Sequence, residues 1–144
     1  MKIIEPRSSE EFKKYYNLRY AILRKPWGQP PGSEKDEGEE TSIHRMIIDN
    51  KTGNALAVGR LHFNSTNEAQ IRYMAVADDL QGKGLGSQII SALEDVARGK
   101  GIQRIILSAR GNALQFYKNN GYEIVEKTYL LFDEIQHWLM SKEL

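Results

Sequence analysis

The chain has 144 residues, 40% of them hydrophobic and 27% charged, with 20 Lys+Arg against 19 Asp+Glu for a net charge of +1. These values describe one globular domain over residues 1–144 and give no global electrostatic case for a nucleic-acid partner. With no cysteine, disulfide frameworks, thiolate zinc sites and cysteine nucleophiles are excluded together. No apolar run approaches the ~18 residues of a membrane span, and no basic start precedes an apolar signal segment, so a cytoplasmic protein without a membrane partner is expected.

In chain order, Lys2-Ile3-Ile4-Glu5 predicts a short strand. Ser8 or Ser9 is placed to cap a helix in which Phe12, Tyr15, Tyr16, Arg19 and Ile22 recur at helical spacing. The stretch Pro26-Trp27-Gly28-Gln29-Pro30-Pro31-Gly32 is too rich in breakers for helix or central strand. It leads into Glu34–Glu40, where five acids stand against one lysine, and the whole reads as one long loop. Ile43–Asp49, Ala55–Phe63 and Ala69–Val76 then predict three strands joined by short turns, an antiparallel meander, because such connections cannot make a parallel crossover.

The rhythm changes after the meander. Leu85, Ile89, Ile90, Leu93, Val96 and Ala97 fall on one helical face, stopped by Gly99 and Gly101. Arg104–Ala109 is an apolar strand reached by a crossover long enough to be parallel to the strand before the helix. Every charged residue from Arg98 to Arg110 is positive. Asn112 is placed to cap a further helix ending at Asn120-Gly121, and Tyr122–Phe132 and Ile135–Met140 close the chain as two strands. The order β-α-β-β-β-α-β-α-β-β predicts an α+β layered protein with a mixed sheet.

The strongest chemical signal is Gln81-Gly82-Lys83-Gly84-Leu85-Gly86, just after a strand and opening a helix. Glycines there let successive N–H groups converge on an anion, the helix start adds its positive dipole end, and Lys83 adds a full charge. A pyrophosphate suits such a cradle, although glycines serve equally in a plain turn into a helix. The motif is neither a P-loop, lacking the Gly-Lys-Ser/Thr ending, nor a dinucleotide fingerprint, since its strand belongs to an antiparallel meander.

Arg72-Tyr73-Met74-Ala75-Val76, then Gln81-x-x-Gly84-x-Gly86, then Asn112-Ala113-x-x-Phe116-Tyr117-x-x-x-Gly121-Tyr122 together resemble the GNAT superfamily of acyl-CoA-dependent N-acyltransferases. The resemblance runs from about Ile43 to Met140. The last strand, with His137, is similar more narrowly to the ElaA-like branch. The resemblance implies a sheet of about seven strands, a central parallel pair splayed at a bulge, and helices on both faces. It implies acetyl-CoA as acyl donor, with backbone groups of Met74, Ala75 and Val76 along the pantetheine arm and residues 81–86 with Ser87 at the pyrophosphate. Asn112 would contact the cofactor arm, and Tyr117 would give a proton to the departing thiolate. Read without the family, Asn112 is a helix cap, and Tyr117 shares a packing face with Ala113 and Phe116.

Acetyl transfer to an amine asks for a polarised thioester carbonyl, an acid for the thiolate and an acceptor for the ammonium proton. A strand N–H near Met74 serves the first need and Tyr117 the second. The third is less plain. Some members of the superfamily place a Glu on the strand of Met74, but the comparable position here is Gln70, which cannot act as a base, and Glu68 sits at the turn edge. His137 titrates near neutrality on a strand that borders the family's acceptor site, and it is the candidate base beside a plain reading as a half-buried strand histidine. His44 and His62 read as strand residues.

The loop from Trp27 to Glu40 falls where the family builds part of its acceptor pocket. Glu34, Asp36 and Glu37 would draw in a cationic amine and Trp27 would stack on it or cover it; the plain alternative is a solvated loop. The implied activity is direct acetyl transfer from acetyl-CoA to a primary amine in a ternary complex, with a small-molecule or protein amine as acceptor and no metal. A catalytically silent acyl-CoA sensor would carry the same motifs. Members of the superfamily are often dimers, and the C-terminal strands offer a contact surface for a homodimer.

Overall fold

The computed structural model describes Met1–Leu144. Ten regular elements follow one another as β1 (Lys2–Ile4), α1 (Ser9–Leu23), β2 (Ile43–Ile48), β3 (Ala55–Phe63), β4 (Glu68–Val76), α2 (Leu85–Gly99), β5 (Arg104–Arg110), α3 (Leu114–Asn119), β6 (Glu123–Leu131) and β7 (Ile135–Glu143). The strands form one seven-stranded sheet in the order β1-β2-β3-β4-β5-β7-β6. Only β4 and β5 run parallel; the other neighbours are antiparallel. The mixed sheet and its single parallel pair are as the sequence predicts.

Local chemistry explains the elements. Ser8 caps α1 through a capping box: its Oγ accepts from the Glu11 N–H at 3.1 Å, while Glu11 Oε1 accepts from the Ser8 N–H at 3.1 Å. Leu85, Ile89, Ile90, Leu93 and Ala97 line the buried face of α2, which packs on one side of the sheet against Leu61, Ile71, Ile105 and Leu107. The other side of the sheet carries α1, with Tyr15 buried beside Met46, Val58 and Ala75. No helix is long and apolar enough to cross a membrane.

Two irregularities position the site. The β3–β4 ladder pairs Val58 with Ala75 and Arg60 with Arg72, so Tyr73 and Met74 together face Gly59 in a bulge. Only glycine fits there: a Cβ on residue 59 would stand 2.5 Å from Ile89 Cγ2 and 2.6 Å from Met74 Sδ. Tyr73 takes a left-handed backbone with φ of 58°, which is uncommon for an aromatic residue. Beyond the bulge the parallel pair opens. Pairing of β4 with β5 covers only Glu68–Ile71 against Arg104–Leu107, leaving Arg72–Val76 and Ser108–Arg110 to face each other across a slot. The second irregularity is the turn between β6 and β7, where Phe132 and Asp133 have φ of 54° and 56°.

The stretch between α1 and β2 is ordered by charge. Arg19, fully buried, holds Glu39 at 2.9 Å and donates to the Glu34 carbonyl at 3.0 Å. Arg60 holds both Asp36 and Glu39 at 2.7 Å. The acidic run is thus folded onto two buried guanidiniums instead of lying in solvent.

Candidate active site

A cavity of about 970 Å³ follows the slot between β4 and β5. One end is the loop into α2, with Gln81, Gly82, Gly84, Leu85, Gly86 and Ser87 in its wall. Gly84 is the N-cap of α2 in a left-handed conformation, φ 84°, with no side-chain cap and no acid in the first turn. The amides of that turn therefore remain free for an anion, and the dipole end adds to their pull. Lys83 is exposed and lies outside the wall.

Along the slot run Met74, Ala75 and Val76, whose β5-facing backbone edge has no strand partner. An extended arm bonding that edge completes the sheet as an added strand would. Asn112 lines the cavity but does not cap α3. It sits inside a 3-10 turn, Gly111–Ala113, and the N-cap of α3 is Ala113 without a side-chain bond. The extra turn carries the helix start one residue past the predicted position.

Tyr117 stands in the cavity wall, 8% exposed, and its hydroxyl makes no hydrogen bond within the protein. Burial pushes its phenol up to about 12, against a smaller downward pull from Arg110. The hydroxyl is therefore protonated throughout the neutral range and available as a donor. Its ring also packs edge-on against Phe116 and Tyr122, so the packing role and the wall position coexist.

The far end of the cavity is formed by Leu23, Arg24, Arg72, Tyr129, Leu131 and His137. His137 is 5% exposed and stacks on Tyr129. Its Nδ1 lies 3.0 Å from the Ile135 carbonyl, an acceptor that fixes the proton on Nδ1 and leaves Nε2 with a free lone pair. Burial lowers its pKa below the ordinary 6.5; the Ile135 carbonyl opposes this, and Arg110 and Arg24 lower it further. His137 is neutral at pH 7.

The remaining predicted residues lie elsewhere. Gln70 lines the cavity, whereas Glu68 is outside it, paired with Arg104 at 2.8 Å. His44 bonds Tyr15 and the Glu39 carbonyl, and His62 bonds Arg60 and Asn64, as structural strand residues do. Glu34, Asp36 and Glu37 do not line the cavity. Glu34 is buried and accepts from the Gly32 N–H. Burial raises the Asp36 carboxyl, but the hydrogen bonds from Arg60 and Gly38 and the charges of Arg60 and Arg72 outweigh it and hold it at about 2. The expected pull of these acids on a cationic amine is thereby corrected: two are spent inside the protein and Glu37 faces solvent. Trp27 borders a separate cavity of about 260 Å³ with Arg110, Asn112 and Glu134, adjoining the main one. No group of three or more His, Cys, Asp or Glu is placed to hold a metal.

Sequence reasoning missed Arg24, Tyr73, Arg110 and Tyr129. Arg110 ends the all-positive run, which was a usable signal; nothing in spacing or composition marks Arg24.

Comparison with known proteins agrees with this geometry. The uncharacterized N-acetyltransferase YjcF of Bacillus subtilis (strain 168) is 27% identical over 143 residues, covering 99% of this chain and 100% of that one. Escherichia coli ElaA has the same fold, with a TM-score of 0.80 at 20% identity over 99% of this chain and 98% of that one. So does a GNAT family acetyltransferase from Elizabethkingia anophelis with acetyl-CoA bound, TM-score 0.80 at 16% identity, over 99% and 97% of the two chains. The model of the Acetyltransferase (GNAT) family matches residues 12–122. An open parallel pair, an uncapped glycine-led helix start and a tyrosine in the cavity wall thus accompany a family match over most of the chain, which belongs to the acetyltransferase (GNAT) family.

Proposed function

We propose that the chain, working as one domain over residues 1–144, transfers an acetyl group from acetyl-CoA to a primary amine by direct attack in a ternary complex. The observation that carries this reading is the slot between β4 and β5, running from the free amides of α2 to the unpartnered Tyr117 hydroxyl. The residues suit the donor: amides of residues 84–87 for the pyrophosphate, the free edge of Met74–Val76 for the pantetheine arm, and Asn112 beside it. Acetyl-CoA supplies an activated acyl group, and the chain's own groups do the rest.

A backbone N–H near Met74, on the β4 edge left without a partner on β5, donates to the thioester oxygen as charge builds there. Tyr117 donates its hydroxyl hydrogen to the departing sulfur; a thiol of pKa ~8.5 leaves more readily when so bonded. His137 Nε2 takes a proton from the acceptor's ammonium group, directly or through one water, and the neutral amine that results attacks the thioester carbon. The buried wall on both sides limits competing attack by solvent.

The test is thiol release from saturating acetyl-CoA with a panel of primary amines. Amine-dependent release supports transfer. Tight acetyl-CoA binding with no release for any amine would identify the protein as an acyl-CoA sensor instead.

A further inference from the structure

Resting on the transfer reading above, we propose that the acceptor is an amine that also carries an anion, a carboxylate or a phosphate, and that Arg24 and Arg110 hold that anion. Both arginines line the far end of the cavity beside His137. They converge on a single atom: Arg24 Nη1 donates to the Leu23 carbonyl at 3.1 Å and Arg110 Nη2 donates to the same oxygen at 3.3 Å. Arg24 also donates through Nε to the Ser33 carbonyl at 3.0 Å. Neither forms an ion pair with any carboxylate, in contrast to Arg19, Arg60 and Arg72.

Two half-buried guanidiniums with only the Leu23 and Ser33 carbonyls as acceptors and no carboxylate are an unbalanced arrangement. Each carries five donors, and most of theirs are unused. Burial and, after it, the Arg24 charge lower the Arg110 pKa, as a like charge nearby does. The one carboxylate in the cavity wall, Asp78, stands at the pyrophosphate end beside Gln81. Glu134 shares the smaller cavity with Arg110 but forms no ion pair. An incoming anion therefore meets paired donors of matching charge and fork geometry, whereas a polycation meets repulsion.

The backbone supports the same assignment. The Arg24 guanidinium lies 5.6 Å from the Tyr73 ring centroid and 5.7 Å from that of Phe132. These are the two aromatic residues with positive φ. Strain of this kind persists where the surrounding structure holds a functional group in place. With the anion on Arg24 and Arg110, the amine of a short acceptor reaches the space between His137 and the slot.

The experiment compares acceptors that differ in the anion alone: α- and β-amino acids against their amides, and O-phosphoethanolamine against ethanolamine, with putrescine as the cationic member. Thiol release is followed at saturating acetyl-CoA for the wild type, Arg24→Gln and Arg110→Gln, two variants so that one suffices if the other does not fold. The expected result is a kcat/KM about tenfold or more higher for the anionic member of a pair. The carboxylate and phosphate arms tell which anion is used. Each variant should erase most of that preference while the acetyl-CoA KM stays put. A second arm needs no turnover: with CoA saturating the protein, inorganic phosphate and acetate are titrated against the NMR signals of the arginine side chains. A saturable shift at Arg24 and Arg110, even if no amine were acetylated, keeps this assignment and removes only the transfer reading. Acetylation that favours the neutral or cationic members overturns the assignment and leaves transfer standing, and anions that move neither arginine overturn it as well.

Discussion

His137 stacks on Tyr129 with ring centroids 4.6 Å apart and planes 16° apart, so the imidazole is fixed in orientation by a neighbouring edge strand while its Nε2 stays free. Arg24 and Arg110 lie close enough to depress its protonation. As a base it must be neutral, so activity is lost as pH falls through its pKa, and that pKa lies below 6.5. The acid limb of kcat/KM is therefore expected below pH 6.5, at the same place for acceptors of different amine pKa. Removing a positive neighbour favours the charged imidazole, so Arg110→Gln should move the limb upward. A pH–rate profile of the two proteins checks both statements, and a limb that follows the amine instead would remove His137 from proton transfer.

Tyr117→Phe keeps the ring that packs on Phe116 and Tyr122 and removes a hydroxyl with no protein partner. Stability should change little. Transfer should slow by roughly 10²-fold, the range of a general acid, with acetyl-CoA affinity close to wild type. A thioester with a less basic leaving thiol should recover part of the loss. Plots of kcat against leaving-thiol pKa for both proteins provide the measurement; equal rates would leave Tyr117 a core tyrosine.

Gly84→Glu puts a carboxylate where the amides of α2 await an anion. A Cβ at residue 84 meets nothing within 4 Å, but the left-handed φ of 84° is strained for any L side chain, a cost of roughly 1–2 kcal/mol. The variant should fold with a modestly lower melting temperature and lose measurable CoA binding. Gly84→Ala carries the same strain without the charge and should retain most of the affinity. Calorimetry with CoA on both variants separates strain from repulsion.

Arg60 is 2% exposed and serves two carboxylates. Arg60→Ala removes one of two cations from each carboxylate, leaving Asp36 with Arg72 and Glu39 with Arg19, and lost hydrogen bonds to charged groups cost about 1.5–3 kcal/mol. Glu37→Gln, on an exposed side chain, should stay within about 0.5 kcal/mol of wild type. Denaturant unfolding of the two variants tests the contrast. Equal stabilities would mean that the acidic run is not held by the buried arginines.

Much of this fold is legible in the sequence because its signals are local. The capping pair Ser8 and Glu11, the face from Leu85 to Ala97 and the glycines at 82, 84 and 86 each act within a few residues. What escaped is set by partners far apart in the chain. Asp36 reads as a surface charge until Arg60 and Arg72 are brought to it across the sheet. The bulge at Tyr73 depends on the missing Cβ of Gly59 on the neighbouring strand. Asn112 looks like a cap because the intervening 3-10 turn leaves no composition signal. Arg24 and Arg110 are 86 positions apart and meet only at the Leu23 carbonyl.

The tethering of Glu34, Asp36 and Glu39 to Arg19 and Arg60 has a consequence for the cavity, because Asp36 also accepts from Arg72 and from the Tyr73 hydroxyl, two residues of its wall. The freedom of that segment is surrendered when the chain folds, at roughly 1–2 kcal/mol per residue of backbone entropy, and not when a ligand arrives. The wall at Arg72 and Tyr73 is then ordered before any ligand arrives, with little ordering left to oppose binding there. A ligand lying against Arg72 and Tyr73 meets shape and charge already in place.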